Sequence, residues 1–192
     1  MLQHSSNRTG RTRRSTKLKN IIFLDIDGVI RPALTVSQAC LDQADNAFSP
    51  ISVGLLNRLC KLTNAQLVIT STWRRNGKGP IIEQIERALN ALNCLLSPEE
   101  TTIKNHCQLF CQEPDAEQSW RIPLGNRLKR SEHIDIWLDR WGDWVQSYCI
   151  LDDIPSLITP KHNARFISIE DADIGFNGTH YTLARSLLSA FS

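Results

Sequence analysis

Two pairs of aspartates close two of the most apolar stretches of the chain: "IIFLDIDGVI", residues 21–30, carries Asp25 and Asp27, and "YCILDDI", residues 148–154, carries Asp152 and Asp153. An isolated ionised carboxylate costs several kcal/mol or more to desolvate, so acids in such runs imply an exposed strand end or a cation beside them. A third run, "AQLVITSTWRR", breaks from apolar residues into Thr70, Ser71 and Arg74, and the basic pair Lys129-Arg130 precedes "SEHIDIWLDRW". Three or four carboxylates gathered in one crevice would repel one another into taking up protons unless a cation intervened. Oxygen-only ligands favour a hard cation, Mg²⁺, held by Asp25, Asp27, Asp152 and Asp153; no paired His or Cys near them points to zinc. Arg74 with Lys129 and Arg130 would then neutralise phosphoryl oxygens, and the hydroxyl of Thr70 or Ser71 would hydrogen-bond one of them. The chemistry these residue types suit is phosphoryl transfer.

The elements that must position these groups follow from periodicity. Ile21–Leu24, "AQLVI", "SYCIL" and "ARFISI" read as strands, the first three continuous and apolar as in a parallel sheet covered on both faces. Ser49-Pro50 reads as an N-cap with proline at the first helical position, opening a helix whose apolar face is Leu55, Leu56, Leu59 and Leu62 and which ends at Asn64-Ala65. Pro80 opens a second helix with Ile82, Ile85, Leu89 and Leu92 on one face. Ser131 is the expected N-cap of a third, with Ile134, Trp137, Leu138 and Trp141 on its face, and Tyr181–Phe191 a fourth. Alternating strands and helices predict an α/β fold, a Rossmann-like three-layer sandwich around a mainly parallel sheet. In such sheets ligands bind outside the carboxyl ends of the strands, where all the groups above fall.

Bulk properties agree with one globular domain: 192 residues, 41% hydrophobic and 22% charged. The net charge of +2 conceals an asymmetry, because residues 1–20 hold six basic side chains and no acid, leaving 16 basic against 20 acidic residues beyond them. Residues 1–19 are read as a basic, disordered leader that could track nucleic-acid phosphates, and 20–192 as the folded domain. Within it, residues 97–127 lose all periodicity and read as an irregular, lid-like insertion. The six cysteines follow no framework spacing and no apolar run spans a membrane, which predicts a reduced, cytoplasmic protein without a membrane partner. His106, Cys107 and Cys111 lack a second ligand pair for zinc.

The sequence resembles the haloacid dehalogenase (HAD) superfamily, whose four motifs match "FLDIDGV", "LVITSTWR", Lys129 or Arg130, and "CILDD" in the expected order. Within it, the combination with "KRSEHIDIWL" looks most like the small capless domains of RNA repair proteins. The resemblance implies that Asp25 is the nucleophile forming an aspartyl-phosphate and Asp27 the general acid and base. It further implies that Thr70 and Arg130 hold the phosphoryl group, and that Asp153, with Asp152 beside it and the Asp27 backbone carbonyl, serves Mg²⁺. The spacing between motifs leaves no room for a large cap, and capless members accept bulky substrates such as polynucleotide ends. Trp73 and Trp120 fall at rim positions where a nucleobase could stack. The expected function is a Mg²⁺-dependent phosphomonoester hydrolase, with nucleic-acid ends as one substrate class. Two alternatives stand beside it: a phosphatase of nucleotides or other small molecules, and a non-catalytic nucleic-acid-binding protein of the same fold.

Overall fold

The computed structural model describes residues 18–33, 48–92, 110, 119–125 and 127–189. Four strands form one sheet: β1 (Lys19–Leu24), β2 (Ala65–Ile69), β3 (Val145–Asp152) and β4 (Phe166–Ser168), in the order β2-β1-β3-β4 with every pairing parallel. The register sets Leu24 opposite Ile69 on one side and Leu151 on the other. Residues 25, 70 and 152–153 therefore emerge together at one edge of the sheet.

Side chains alternate across a strand, so each face of β1 buries against different helices. Ile22 and Leu24 join Leu67, Ile69, Cys149 and Leu151 in a core completed by α1 (Pro50–Thr63), α2 (Gly79–Ala91) and α4 (Gly178–Ser189). Ile21 and Phe23 turn the other way, onto Ile134, Trp137 and Trp141 of α3 (Arg130–Trp141). Three layers result, and none of the described residues forms a cap domain. No helix among them is long and apolar enough to cross a membrane.

Local chemistry fixes the ends. The Ser49 hydroxyl accepts from Ser52 N at 3.3 Å with Pro50 in the first turn, and Asn64, at φ 51°, closes α1. The α1 face differs from the expected one: Val53, Leu56, Leu59 and Cys60 are buried while Leu62, in the last turn, is 58% exposed, because at 3.6 residues per turn it stands about 120° round the helix from Leu56. α3 starts before Ser131. The carboxylate of Glu132 accepts from Lys129 N at 2.6 Å, which makes Lys129 the N-cap and puts Arg130 in the first turn. α4 begins at Gly178 rather than Tyr181, since the Asn177 carboxamide accepts from Thr179 N and His180 N.

The basic leader, as far as residue 17, lies outside the described residues, as do His106, Cys107 and Cys111. Of the expected insertion, Phe110, Ser119–Gly125 and Arg127 are described, and most of them pack rather than form a lid. Phe110 and Arg121 bridge to Leu67 and Ile69, and Ile122 N donates to Ile69 O at 3.1 Å. Phe110 and Ile122 are fully buried, so apolar side chains and the unpaired edge of β2 draw this segment onto the sheet. Trp120 is likewise 6% exposed, edge-on to Phe110 at 6.3 Å, and is core rather than rim.

Candidate active site

Asp25 follows the last residue of β1, its N–H donating to Leu151 O at 2.9 Å, and its carboxylate is nearly buried. One carboxylate oxygen each of Asp25, Asp152 and Asp153 can lie within 4.8 Å of the other two. Arg130 reaches the same group, Nη1 standing 2.7 Å from Asp25 Oδ2 and in contact with Asp152 Oδ2. Asp152 Oδ1 accepts from Ile154 N at 2.9 Å. Burial by itself would lower the Arg130 guanidinium, but Asp25 and Asp152 outweigh it and hold it above its ordinary value.

One cation against three acids leaves the cluster under-neutralised. Burial, reinforced by Asp25 and opposed by Arg130, pushes Asp152 up to about 6. Burial and the charge of Asp25 raise Asp153 as well. Asp153 Oδ1 is buried without a hydrogen-bond partner among the described residues. Its carboxylate also lies against Gly28, where φ is +74° and an added Cβ would stand 2.6 Å from Asp153 Cγ. Hence the Asp-x-Asp-Gly turn needs glycine twice, for its backbone and for the approach of that acid. An orphaned carboxylate oxygen, an all-oxygen donor set and acids held above their usual range fit a small divalent cation such as Mg²⁺.

Asp27 stands apart from this cluster. Its carboxylate, about half exposed, accepts from Arg31 Nη1 at 2.8 Å and from the Trp73 indole N–H at 3.2 and 3.3 Å. Sequence reasoning misses both donors: the Asp27/Arg31 pair has the visible signal of opposite charges four residues apart, whereas Trp73 is 46 residues away. The Asp27 side chain is thus not brought together with the acids it is expected to join around a metal.

The remaining expected residues divide. Thr70 is 1% exposed, its N–H donates to Leu24 O, and its hydroxyl oxygen has no partner among the described residues. Ser71 is turned to its own chain, Oγ accepting from Trp73 N at 3.4 Å. Arg74 is buried and uses Nη1 on the carbonyls of Thr70 and Ser71 at 2.6 and 2.7 Å, with Nη2 on Pro123 O at 3.4 Å. Burial, then the charges of Arg130 and Arg75, lower its guanidinium to about 10. Its bonds therefore brace the turn after β2 instead of projecting to a ligand. Lys129 is exposed as the N-cap, leaving Arg130 as the base that enters the crevice. Cys60 and Cys149, buried and free, are kept as thiols; burial pushes Cys60 up to about 12.

Residues 21–180 match the family model of the HAD domain in Swiss Army Knife RNA repair proteins. No curated protein and no solved structure matches the chain. The family match spans most of the sequence, and the chain belongs to that family.

Proposed function

From this family membership and the crevice described above, we propose that the protein is a Mg²⁺-dependent phosphomonoester hydrolase acting through an aspartyl-phosphate, with phosphorylated nucleic-acid ends as its substrates. The observation that carries the reading is the convergence of Asp25, Asp152, Asp153, Arg130 and the unpartnered Thr70 hydroxyl at the carboxyl ends of adjacent strands. A binding module would gain nothing from three clustered acids, two of them buried, facing a polyanion.

A carboxylate oxygen of Asp25 attacks phosphorus as the bond to the leaving oxygen breaks, and the Asp27 carboxyl gives that oxygen its proton. Water then attacks the phosphorus of the aspartyl-phosphate, Asp27 takes its proton, and the carboxylate of Asp25 is released with inorganic phosphate. Arg130 and the Thr70 hydroxyl donate to the transferring phosphoryl oxygens. Arg31 and Trp73 hold the Asp27 carboxylate by donating to it. Mg²⁺, held by Asp25, Asp153 and the Asp27 backbone carbonyl with Asp152 behind them, would supply positive charge for the phosphoryl oxygens. In this reading the folded domain runs from about residue 20 to the C-terminus, and the basic leader adds electrostatic attraction for nucleic acid.

The test is turnover of an aryl phosphate with and without Mg²⁺, in wild type and Asp25→Asn, followed by 3′- and 5′-phosphorylated oligonucleotides against mononucleotides. Mg²⁺-dependent turnover abolished by Asp25→Asn supports the reading. Metal-independent turnover, or none, rejects it. Preference for mononucleotides would move the substrate to small phosphate esters.

A further inference from the structure

The two flanks of the crevice carry opposite charge. On the β2 side, residues 70–80 hold three cations and the segment bridged to β2 adds Arg121, with no acid in residues 70–80 or 119–125. On the β4 side, residues 169–174 hold Glu170, Asp171 and Asp173 and no cation. Both stretches lie at the strands' carboxyl ends: Arg121 bridges to Ile69, the last residue of β2, and Ile169 N donates to Asp152 O at 3.0 Å just after β4. With strands about 4.8 Å apart, the flanks are separated by roughly 15 Å.

The β2 flank is built, not merely charged. Arg121 Nη1 donates to Arg74 O at 2.8 Å, and Arg75, Arg121 and Arg130 all lie close enough to depress the guanidinium of Arg74. The Lys78 ammonium lies 5.7 Å from the centres of both the Phe110 and Trp120 rings, which holds it on this side. On the same side opens a cleft of about 350 Å³, lined by Arg31, Thr72, Trp73, Asn76 and Pro80. Arg31 and Trp73 are also the two residues that hold Asp27. If Asp27 protonates the leaving oxygen, the leaving group must lie on the Asp27 side, where this cavity is. Its size falls in the range of small-molecule sites and suits one unpaired nucleoside beside an indole.

We propose that the β2 flank is the exit track of a single-stranded polynucleotide whose terminal phosphate reacts in the crevice. The terminal nucleoside occupies the Arg31–Trp73 cavity, the following phosphodiesters lie over Arg75, Lys78 and Arg121, and the acidic β4 flank excludes the strand from the other side. This rests on the phosphohydrolase reading and adds to it a direction and a surface that do not involve the leader.

The experiment measures the affinity of a terminally phosphorylated single-stranded decanucleotide for the Asp25→Asn protein as a function of salt. Removing a cation that neutralises one phosphate should reduce the slope of log Kd against log salt by about 0.7. Arg75→Gln and Lys78→Gln, made separately, should each show that reduction, and together a reduction of about 1.4 with at least tenfold weaker binding at low salt. Asp173→Lys should leave the slope unchanged. Unchanged slopes in both Gln variants overturn the track, as does a slope raised by Asp173→Lys, which would send the strand over β4. Aryl phosphate turnover by each variant on the Asp25 background separates the two levels: turnover with unmoved slopes defeats the track alone, and no turnover in wild type defeats the phosphohydrolase reading.

Discussion

Arg130→Met keeps an unbranched stem but removes the cation standing between Asp25 and Asp152. The Arg130, Asp25 and Asp152 side chains are 12, 6 and 0% exposed, so solvent screens little of what remains. Removing one partner of a buried pair costs about 3–5 kcal/mol, because the other charge stays buried and unpaired. For a chain of this size that is a fall in Tm of roughly 6–20 °C. The loss should depend on pH. Asp152 is raised from its ordinary 3.8 to about 6, so the folded protein binds that proton more tightly than the unfolded chain does. Stability from this group is fully present below about 3.8 and lost as pH rises through about 6. Without Arg130 the acid is held higher still, and the deficit against wild type should be larger at pH 7.5 than at pH 5. Urea denaturation in EDTA at the two pH values reads it directly. A deficit under about 1 kcal/mol at pH 7.5, or one equal at both pH values, would refute a buried, under-neutralised cluster.

Three further outcomes rest on individual side chains. Thr70→Val, which keeps shape and removes a hydroxyl without a partner among the described residues, should leave urea stability within about 1 kcal/mol while lowering kcat/KM for an aryl phosphate by about 10²-fold. Gly28→Ala should cost on the order of 1–2 kcal/mol for its backbone and weaken Mg²⁺ binding in calorimetric titration, because the new methyl displaces the Asp153 carboxylate. His162 is fully buried, its Nδ1 3.0 Å from the Tyr148 hydroxyl, and burial lowers its pKa. Its neutral folded form contributes stability present above about pH 6.5 and lost as pH falls below it, so the difference between wild-type and His162→Gln melting curves should shrink from pH 7.5 to pH 5.

The strand ends that carry Asp25, Thr70 and Asp152 are legible in the sequence because a buried parallel strand is a continuous apolar run, and a polar residue can follow only where it stops. The choice between Lys129 and Arg130 is not, since both precede the same apolar periodicity. It turns on one hydrogen bond, Lys129 N to the Glu132 carboxylate, which starts α3 early enough for Arg130 to face Asp25. Arg74 illustrates a different limit: an arginine after a strand suggests a phosphate ligand, but the carbonyls of Thr70, Ser71 and Pro123 claim its guanidinium. Likewise Trp120 and Trp73 look alike as rim aromatics. Phe110 and the β2 edge bury the first, and Asp27 takes the indole N–H of the second, contacts between residues far apart in sequence that no local pattern records.

The central claim is that Asp25 itself carries the phosphoryl group. Acid quenching of wild-type protein during turnover of a phosphorylated oligonucleotide with Mg²⁺, followed by peptide mass spectrometry, should find one phosphoryl group on Asp25. The modification should be absent without Mg²⁺ and absent in Asp25→Asn. Steady turnover with Asp25 unmodified at every quench time, or a phosphoryl group that persists elsewhere in Asp25→Asn, would contradict it.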